Sequence, residues 1–307
     1  MKLAKILLLF FFPCFFVTFV SAEELPKNLE ELKKLAETGN TDALNEIGDL
    51  YYFGDSVPQS YEEAVKYYKL AADKGNADAL NLLGVCYYDG KGVPQNYEEA
   101  IKYYKLAAEK GNDWSFYNLG DCYYWGHGVP QNYGEAVKYY RLAADKGNAK
   151  AFNKLGNCFY DGDGVSQNYE EAVKYYRLAA DKGNGWGFYN LGNCFYNGKG
   201  VPQNYTEAVR YYKLAAEKEI GSAFNKLGNC YYSGNGVPQN YQEAMKYYKL
   251  AGENGEGWGY YNLGTMHYRG YGVKANYHDA ERYLRLAMEK GNKSAKEFYY
   301  KTLFLID

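Results

Sequence analysis

Three histidines, six cysteines and four tryptophans are the residues of this 307-residue chain best suited to chemistry, and their spacing decides which chemistry. His127 falls in a turn, His267 stands where sister repeats carry tyrosine, and His278 follows a helix start. The chain has no HExxH helix, no Cys-x-x-Cys pair and no phosphate-cradling glycine loop. A His267/His278 metal site therefore has nothing to supply its remaining ligands. Asp161-Gly-Asp163-Gly opens like a calcium loop, but Val165 and the glycine placement break the ligand order. Sister turns read Asp89-Gly-Lys91-Gly and Ser233-Gly-Asn235-Gly, so the acidic version is turn variation. No catalytic group, metal site or cofactor is expected.

Cys86, Cys122, Cys158, Cys194 and Cys230 recur every 36 residues, two positions after a glycine. Leu50 and Met266 hold the same position in the outermost copies. A position that accepts Cys, Leu or Met is an apolar one, where cysteine acts as a small hydrophobe. Equivalent atoms on neighbouring helices lie about 10 Å apart, whereas a disulfide needs Cα atoms within about 7 Å. The expectation is five buried free thiols and no disulfide.

The tryptophans carry a longer period. Trp114, Trp186 and Trp258 are 72 residues apart and head the phrases Trp-Ser-Phe-Tyr-Asn, Trp-Gly-Phe-Tyr-Asn and Trp-Gly-Tyr-Tyr-Asn. At about 100° per residue, Trp114, Tyr117, Asn118 and Asp121 share one side of a helix, and Ser115, Leu119 and Cys122 share the other. The matching sets are Trp186, Tyr189, Asn190, Asn193 and Trp258, Tyr261, Asn262, Thr265. Between them come Lys150, Asn153, Lys154, Asn157 and Ser222, Asn225, Lys226, Asn229. The candidate ligand-binding residues are thus Trp114, Tyr117, Asn118, Lys154, Trp186, Tyr189, Asn190, Lys226, Trp258, Tyr261 and Asn262. Aromatic rungs offer stacking surfaces, and amide rungs suit a peptide backbone or sugar hydroxyls. The competing expectation is that each indole wedges between adjacent helices and fills space.

These residues need helices to hold them, and the sequence supplies two per repeat. The Leu-Gly pair at Gly48, Gly84, Gly120, Gly156, Gly192, Gly228 and Gly264 keeps the 36-residue period without a break. A period in this range means a solenoid whose units are stable only against their neighbours. In the copy from Asn96, that residue is an N-cap and Glu99 is placed to complete a capping box. Tyr97, Ala100, Ile101, Tyr104, Ala107 and Ala108 follow at helical spacing, while Glu98 and Lys102 form a solvated face. Tyr103 and Tyr104 fall on the apolar stripe and are expected in the core. Gly111 is placed to end this B helix in the left-handed conformation, and Asn112 to cap the next A helix, which runs to about Tyr124.

The motifs A-x-x-x-L-G-x-x-Y, Y-x-G-x-G-V-P-Q and Y-x-E-A-x-x-Y-Y-x-x-A-A, as at Ala79–Tyr87, Tyr88–Gln95 and Tyr97–Ala108, resemble the Sel-1-like repeats. These are relatives of the tetratricopeptide repeats. The resemblance spans seven helix pairs. It implies an all-α, right-handed superhelical solenoid of antiparallel pairs, with the A helices on the concave side and protein–protein contact as its role. Cysteine-rich exported members of the family have two cysteines per repeat that link paired helices; this chain has one. Some such members are described as β-lactamases. The Ser-x-x-Lys, Ser-Asp-Asn and Lys-Thr-Gly signatures of that chemistry are absent here.

Lys2 and Lys5, the apolar run from Ile6 to Val20 and the small residues Ser21 and Ala22 have the form of a secretory signal peptide cut after Ala22. The run is too short to span a membrane comfortably, so no stable membrane insertion is expected after cleavage. The compartment follows as periplasmic or secreted. Cleavage removes two lysines of the 35 basic residues and none of the 37 acidic ones, leaving a mildly acidic chain with no footprint for nucleic acid. The organisation read from sequence is a signal peptide (1–22), an N-terminal capping segment (23–40), a repeat array (41–292) and a C-terminal capping helix (293–307). Its function is read as a non-catalytic scaffold for a protein or peptide partner, with a glycan or cell-wall ligand as the alternative.

Overall fold

The computed structural model describes residues 28–305, so the signal-peptide segment lies outside the described residues. Sixteen helices and no strand occur among them. A short α1 (Leu29–Glu37) precedes seven A/B pairs. The first four are α2 (Thr41–Phe53) with α3 (Tyr61–Asp73), α4 (Ala77–Asp89) with α5 (Tyr97–Glu109), α6 (Asp113–Trp125) with α7 (Tyr133–Asp145), and α8 (Ala149–Asp161) with α9 (Tyr169–Asp181). The last three are α10 (Gly185–Asn197) with α11 (Tyr205–Ala216), α12 (Gly221–Ser233) with α13 (Tyr241–Glu253), and α14 (Gly257–Arg269) with α15 (Tyr277–Glu289). Helix α16 (Ala295–Leu303) closes the array. Each helix packs on the next in chain order, as a solenoid requires.

Asparagine starts most of the helices. The Asn96 side chain accepts from the Glu98 and Glu99 backbone N–H groups, and Asn112 accepts from Ser115 at 2.8 Å. The reciprocal half of the capping box is not made, which corrects the sequence reading. The Asn96 N–H donates instead to the Tyr87 carbonyl of the preceding A helix at 2.8 Å. Its glutamate, left free, pairs with Lys102 at 3.4 Å. Ser60 and Asn132 behave alike, donating to Tyr51 and Tyr123. The cap thus ties one helix to its partner instead of closing on itself.

The A-to-B turn shows why the Gly-x-Gly-Val-Pro-Gln phrase recurs. Gly126 and Gly128 have φ of +74° and +73°, a region that disfavours side chains. A Cβ on Gly128 would also meet the Tyr97 backbone at 2.8 Å. The Gln131 amide then donates to the Tyr124 carbonyl at 2.9 Å, satisfying an orphan group at the end of the A helix. The residue between the two glycines reaches the previous repeat. Lys91 donates to the Tyr52 hydroxyl at 2.9 Å, His127 Nδ1 lies 2.6 Å from the Tyr88 hydroxyl, and Asp163 accepts from Tyr124 at 2.6 Å. One turn position serves with a lysine, a histidine or an aspartate because each can bond a phenol.

The core is a seam between A and B helices. Leu119, Leu155, Leu191 and Leu227 are almost wholly buried in it, each burial contributing about 1.5–3 kcal/mol. The repeat glycine lets a B-helix tyrosine lie flat on the A helix. A Cβ on Gly120 would stand 2.5 Å from the Tyr140 ring, and one on Gly156 would collide with Tyr176. The tyrosine hydroxyl then donates to the residue after the glycine: Tyr140 to Asp121 at 2.6 Å, Tyr176 to Asn157 at 2.9 Å, Tyr212 to Asn193 at 2.9 Å. All five repeat cysteines are free and buried here. Burial pushes four of their thiols up to about 12 and that of Cys230 up to about 11. Tyr104 is core, but Tyr103 is only half-buried and stacks on Tyr87 at 5.5 Å.

Candidate interaction face

The outer face of the A helices carries the three spaced tryptophans. Trp114, Trp186 and Trp258 are 43%, 47% and 47% exposed, so none is a wedge sealed between helices. Each meets the tyrosine one turn on, edge to face: Tyr117 at 6.2 Å, Tyr189 at 5.5 Å, Tyr261 at 5.2 Å. The tyrosines do not simply face solvent as the helical wheel suggests. Tyr117 and Tyr189 also reach the seam rings Tyr140 and Tyr212, each at 6.0 Å, and Tyr261 reaches Phe298 at 6.1 Å. An exposed indole is thereby braced through one ring to the core. Burial, with Asp121 beside it, pushes the Tyr117 phenol far above its ordinary value, so it stays a neutral donor.

Asn118, Asn190 and Asn262 form rungs across neighbouring repeats. Each donates its amide N–H to an asparagine of the preceding A helix, namely Asn81, Asn153 and Asn225, at 2.9 Å in all three. Asn190 also reaches Asn157 at 3.2 Å. These bonds occur in every second repeat step, so a Trp-bearing repeat and the one before it form a unit. Asn118, Asn190 and Asn262 keep their carbonyl oxygens, and Asn118 and Asn262 each keep one N–H, whereas Asn190 has donated both.

The two predicted lysines differ. Lys154 pairs with Asp121 at 2.9 Å, and its ammonium sits 5.9 Å from the Tyr117 ring centre, 5.7 Å from Tyr124 and 5.8 Å from Trp125. Lys226 makes no ion pair among the described residues. Lys150, which the sequence placed on the same face, lies over Trp114 at 5.0 Å. A cleft of about 470 Å³ runs between Tyr117, Lys150, Asn153 and Trp186, and a second of about 400 Å³ is lined by Asn190, Asn193 and Lys226. The structure thus gathers the middle candidates, Tyr117, Lys154, Trp186 and Asn190, at one cleft. Trp258, Tyr261 and Asn262 lie farther along the same face.

Sequence reasoning missed Trp125, which is 55% exposed at the end of α6 and edge-on to Tyr124 at 4.9 Å. The signal was available, since four of the six sister repeats carry Asp, Asn or Ser at that position, with Phe53 and Arg269 in the outermost two. The histidines do not converge. His127 stacks on Tyr97, His267 is part-buried on Tyr283 and 3.8 Å from Asp279, and His278 is exposed. Burial pushes the His267 imidazole below its ordinary value, against the opposing pull of Asp279. No group of three or more potential metal ligands gathers among the described residues.

Comparison with known families settles the scaffold. The Sel1 repeat matches residues 41–76, 77–112, 117–148, 149–184, 189–219, 222–256 and 259–292. The chain belongs to the Sel1 repeat family. Among solved structures it resembles a protective antigen of uropathogenic Escherichia coli at 32% identity and a TM-score of 0.72, covering 89% of this chain but 58% of the antigen. A Sel1 repeat protein of Oxalobacter formigenes shares 34% identity at a TM-score of 0.71, over 80% of this chain and 96% of its own. An immunity protein of Pseudomonas aeruginosa shares the fold at 22% identity and a TM-score of 0.50, over 70% and 81%. No curated protein matches the chain. Sel1 repeats generally mediate protein–protein interaction and are generally non-catalytic.

Proposed function

We propose that the chain is an exported, non-catalytic scaffold that holds an extended peptide along its A-helix face. The observation that carries this is the row of half-exposed indoles on alternate A helices, each braced by a tyrosine instead of buried. Large, rigid aromatics lose little freedom on binding and dominate interface energies. The asparagine rungs between them add donors and acceptors suited to peptide groups. Export rests on the basic start, apolar run and small residues of positions 1–22. A relative described as a protective antigen accords with it.

The test is to expose the purified chain to immobilised peptide and oligosaccharide arrays, then repeat it with Trp186→Ala. Retained peptides, weakened by roughly thirtyfold in the variant, support the proposal; that factor corresponds to about 2 kcal/mol. Retention of oligosaccharides alone would move the assignment to a glycan ligand. Peptide binding untouched by Trp186→Ala would place the contact surface elsewhere. Nitrocefin turnover by the same sample would overturn the non-catalytic assignment.

A further inference from the structure

We infer that the cleft between α8, α10 and α12 takes one carboxylate of the bound peptide on Lys226. This rests on the peptide reading above and adds a charge preference to it. Lys154 and Lys226 occupy the same position in two repeats, 72 residues apart. Lys154 is neutralised from the preceding A helix by Asp121 at 2.9 Å. The residue that stands to Lys226 as Asp121 stands to Lys154 is Asn193. An amide brings no charge, and the Asn193 carbonyl oxygen is taken by the Tyr212 hydroxyl at 2.9 Å. Among the described residues the Lys226 ammonium makes no hydrogen bond and no ion pair.

The rest of the cleft has the same imbalance. The Asn157 carbonyl oxygen accepts from Tyr176 at 2.9 Å and from Asn190 at 3.2 Å, so the Asn157 and Asn193 oxygens are both engaged from inside. The amide N–H groups of these two residues make no hydrogen bond among the described residues, and they stand with the unpaired Lys226 ammonium in a space of about 400 Å³. That is the donor set of a carboxylate, whose two oxygens accept several bonds at once. Lys226 also sits on the A helix between those bearing Trp186 and Trp258, so a peptide crossing both indoles passes over it.

One feature of the cleft limits the charge it accepts. Asp161 lines the same space. Its carboxyl is raised above the ordinary carboxylate value, by burial first and by neighbouring Asp163 second. A group already short of solvation and beside a like charge opposes further negative charge. The site therefore suits a carboxylate of charge −1 and disfavours a phosphate approaching −2. The carboxylate can come from an Asp or Glu side chain or from the peptide C-terminus.

The peptides retained on the array are resynthesised with a free C-terminus, with a C-terminal amide, with each acidic side chain replaced by its amide, and with phosphoserine in place of the acid. Their affinities for wild type, Lys226→Gln and Trp186→Ala are read by fluorescence anisotropy. Removing one particular carboxylate is expected to weaken wild-type binding about tenfold, the scale of a lost charge-assisted bond. The same removal should do nothing in Lys226→Gln. Which removal matters identifies the source, and the phosphoserine form should bind below the carboxylate form. Lys226→Gln should melt with the wild type, since the side chain has no internal partner. A carboxylate preference that persists in Lys226→Gln, or a wild type indifferent to every removal, overturns the inference. If Trp186→Ala still weakens all forms in that case, the peptide reading survives alone. If no peptide binds, both fall.

Discussion

In the fourth repeat, Tyr176 lies over Gly156 and bonds Asn157, and the fifth repeat does the same with Tyr212, Gly192 and Asn193. On the outer face of the same two repeats the residues diverge. The fourth presents Lys150, Asn153 and Lys154, the fifth Trp186, Tyr189 and Asn190. The seam therefore keeps the 36-residue period while the face follows 72 or none. The second repeat sharpens the point: Tyr104 stays buried although Val85 leaves its hydroxyl without the usual acceptor. A ring filling the space above glycine is what each unit needs in order to stack on the next. Side chains beyond that requirement are free to differ, and recognition needs difference.

The contrast can be broken first with pH. Thiols ordinarily ionise near 9.0, and the seam holds four at about 12 and one at about 11. Their folded values are raised, so this stability is fully present below about pH 9 and is lost as pH climbs through 11 to 12. Five sites acting together make this the largest expected effect. Urea midpoints measured from pH 8 to 11 should fall steadily above 9; a flat series would mean the thiols ionise in place. Tyr212→Ala comes next, at about 3–5 kcal/mol, because the fully buried ring leaves a cavity. Gly156→Leu should cost about 1–3 kcal/mol by overfilling the contact with Tyr176. Denaturation matching wild type in either variant would remove the seam from its place as the stabilising element.

Much of the seam was legible because it repeats. The Cys, Leu and Met alternation at one position reads as burial, and Cys122 and Met266 are buried. Asn112 reads as a cap and is one. The misreadings share a cause, which is contact between repeats. Glu99 was expected to return to Asn96, but the Asn96 N–H is claimed by Tyr87 of another helix. A helical wheel sets Tyr117 opposite the core, yet its long ring reaches Tyr140. The pairing of Lys154 with Asp121, 33 residues earlier, depends on how adjacent A helices lie side by side, which no single-helix projection contains. The same holds for the Asn118–Asn81 rung.

The smallest expected effect is also the one that tests the comparison most sharply. Trp186 is 47% exposed and touches Tyr189 edge-on, so Trp186→Ala opens no sealed cavity. Its cost to folding should stay below about 1 kcal/mol, as for other changes away from the core. A buried tryptophan truncated the same way would cost about 3–5 kcal/mol. Tyr212→Ala and Trp186→Ala therefore differ severalfold although Tyr189 links the two rings. Acrylamide quenching supplies the second readout: the fluorescence lost in Trp186→Ala should be a readily quenched component of the free protein. A shielded component, together with a loss of stability rivalling Tyr212→Ala, would make the indole part of the seam. The face would then be held by folding too, and the reason to place a ligand there would be gone.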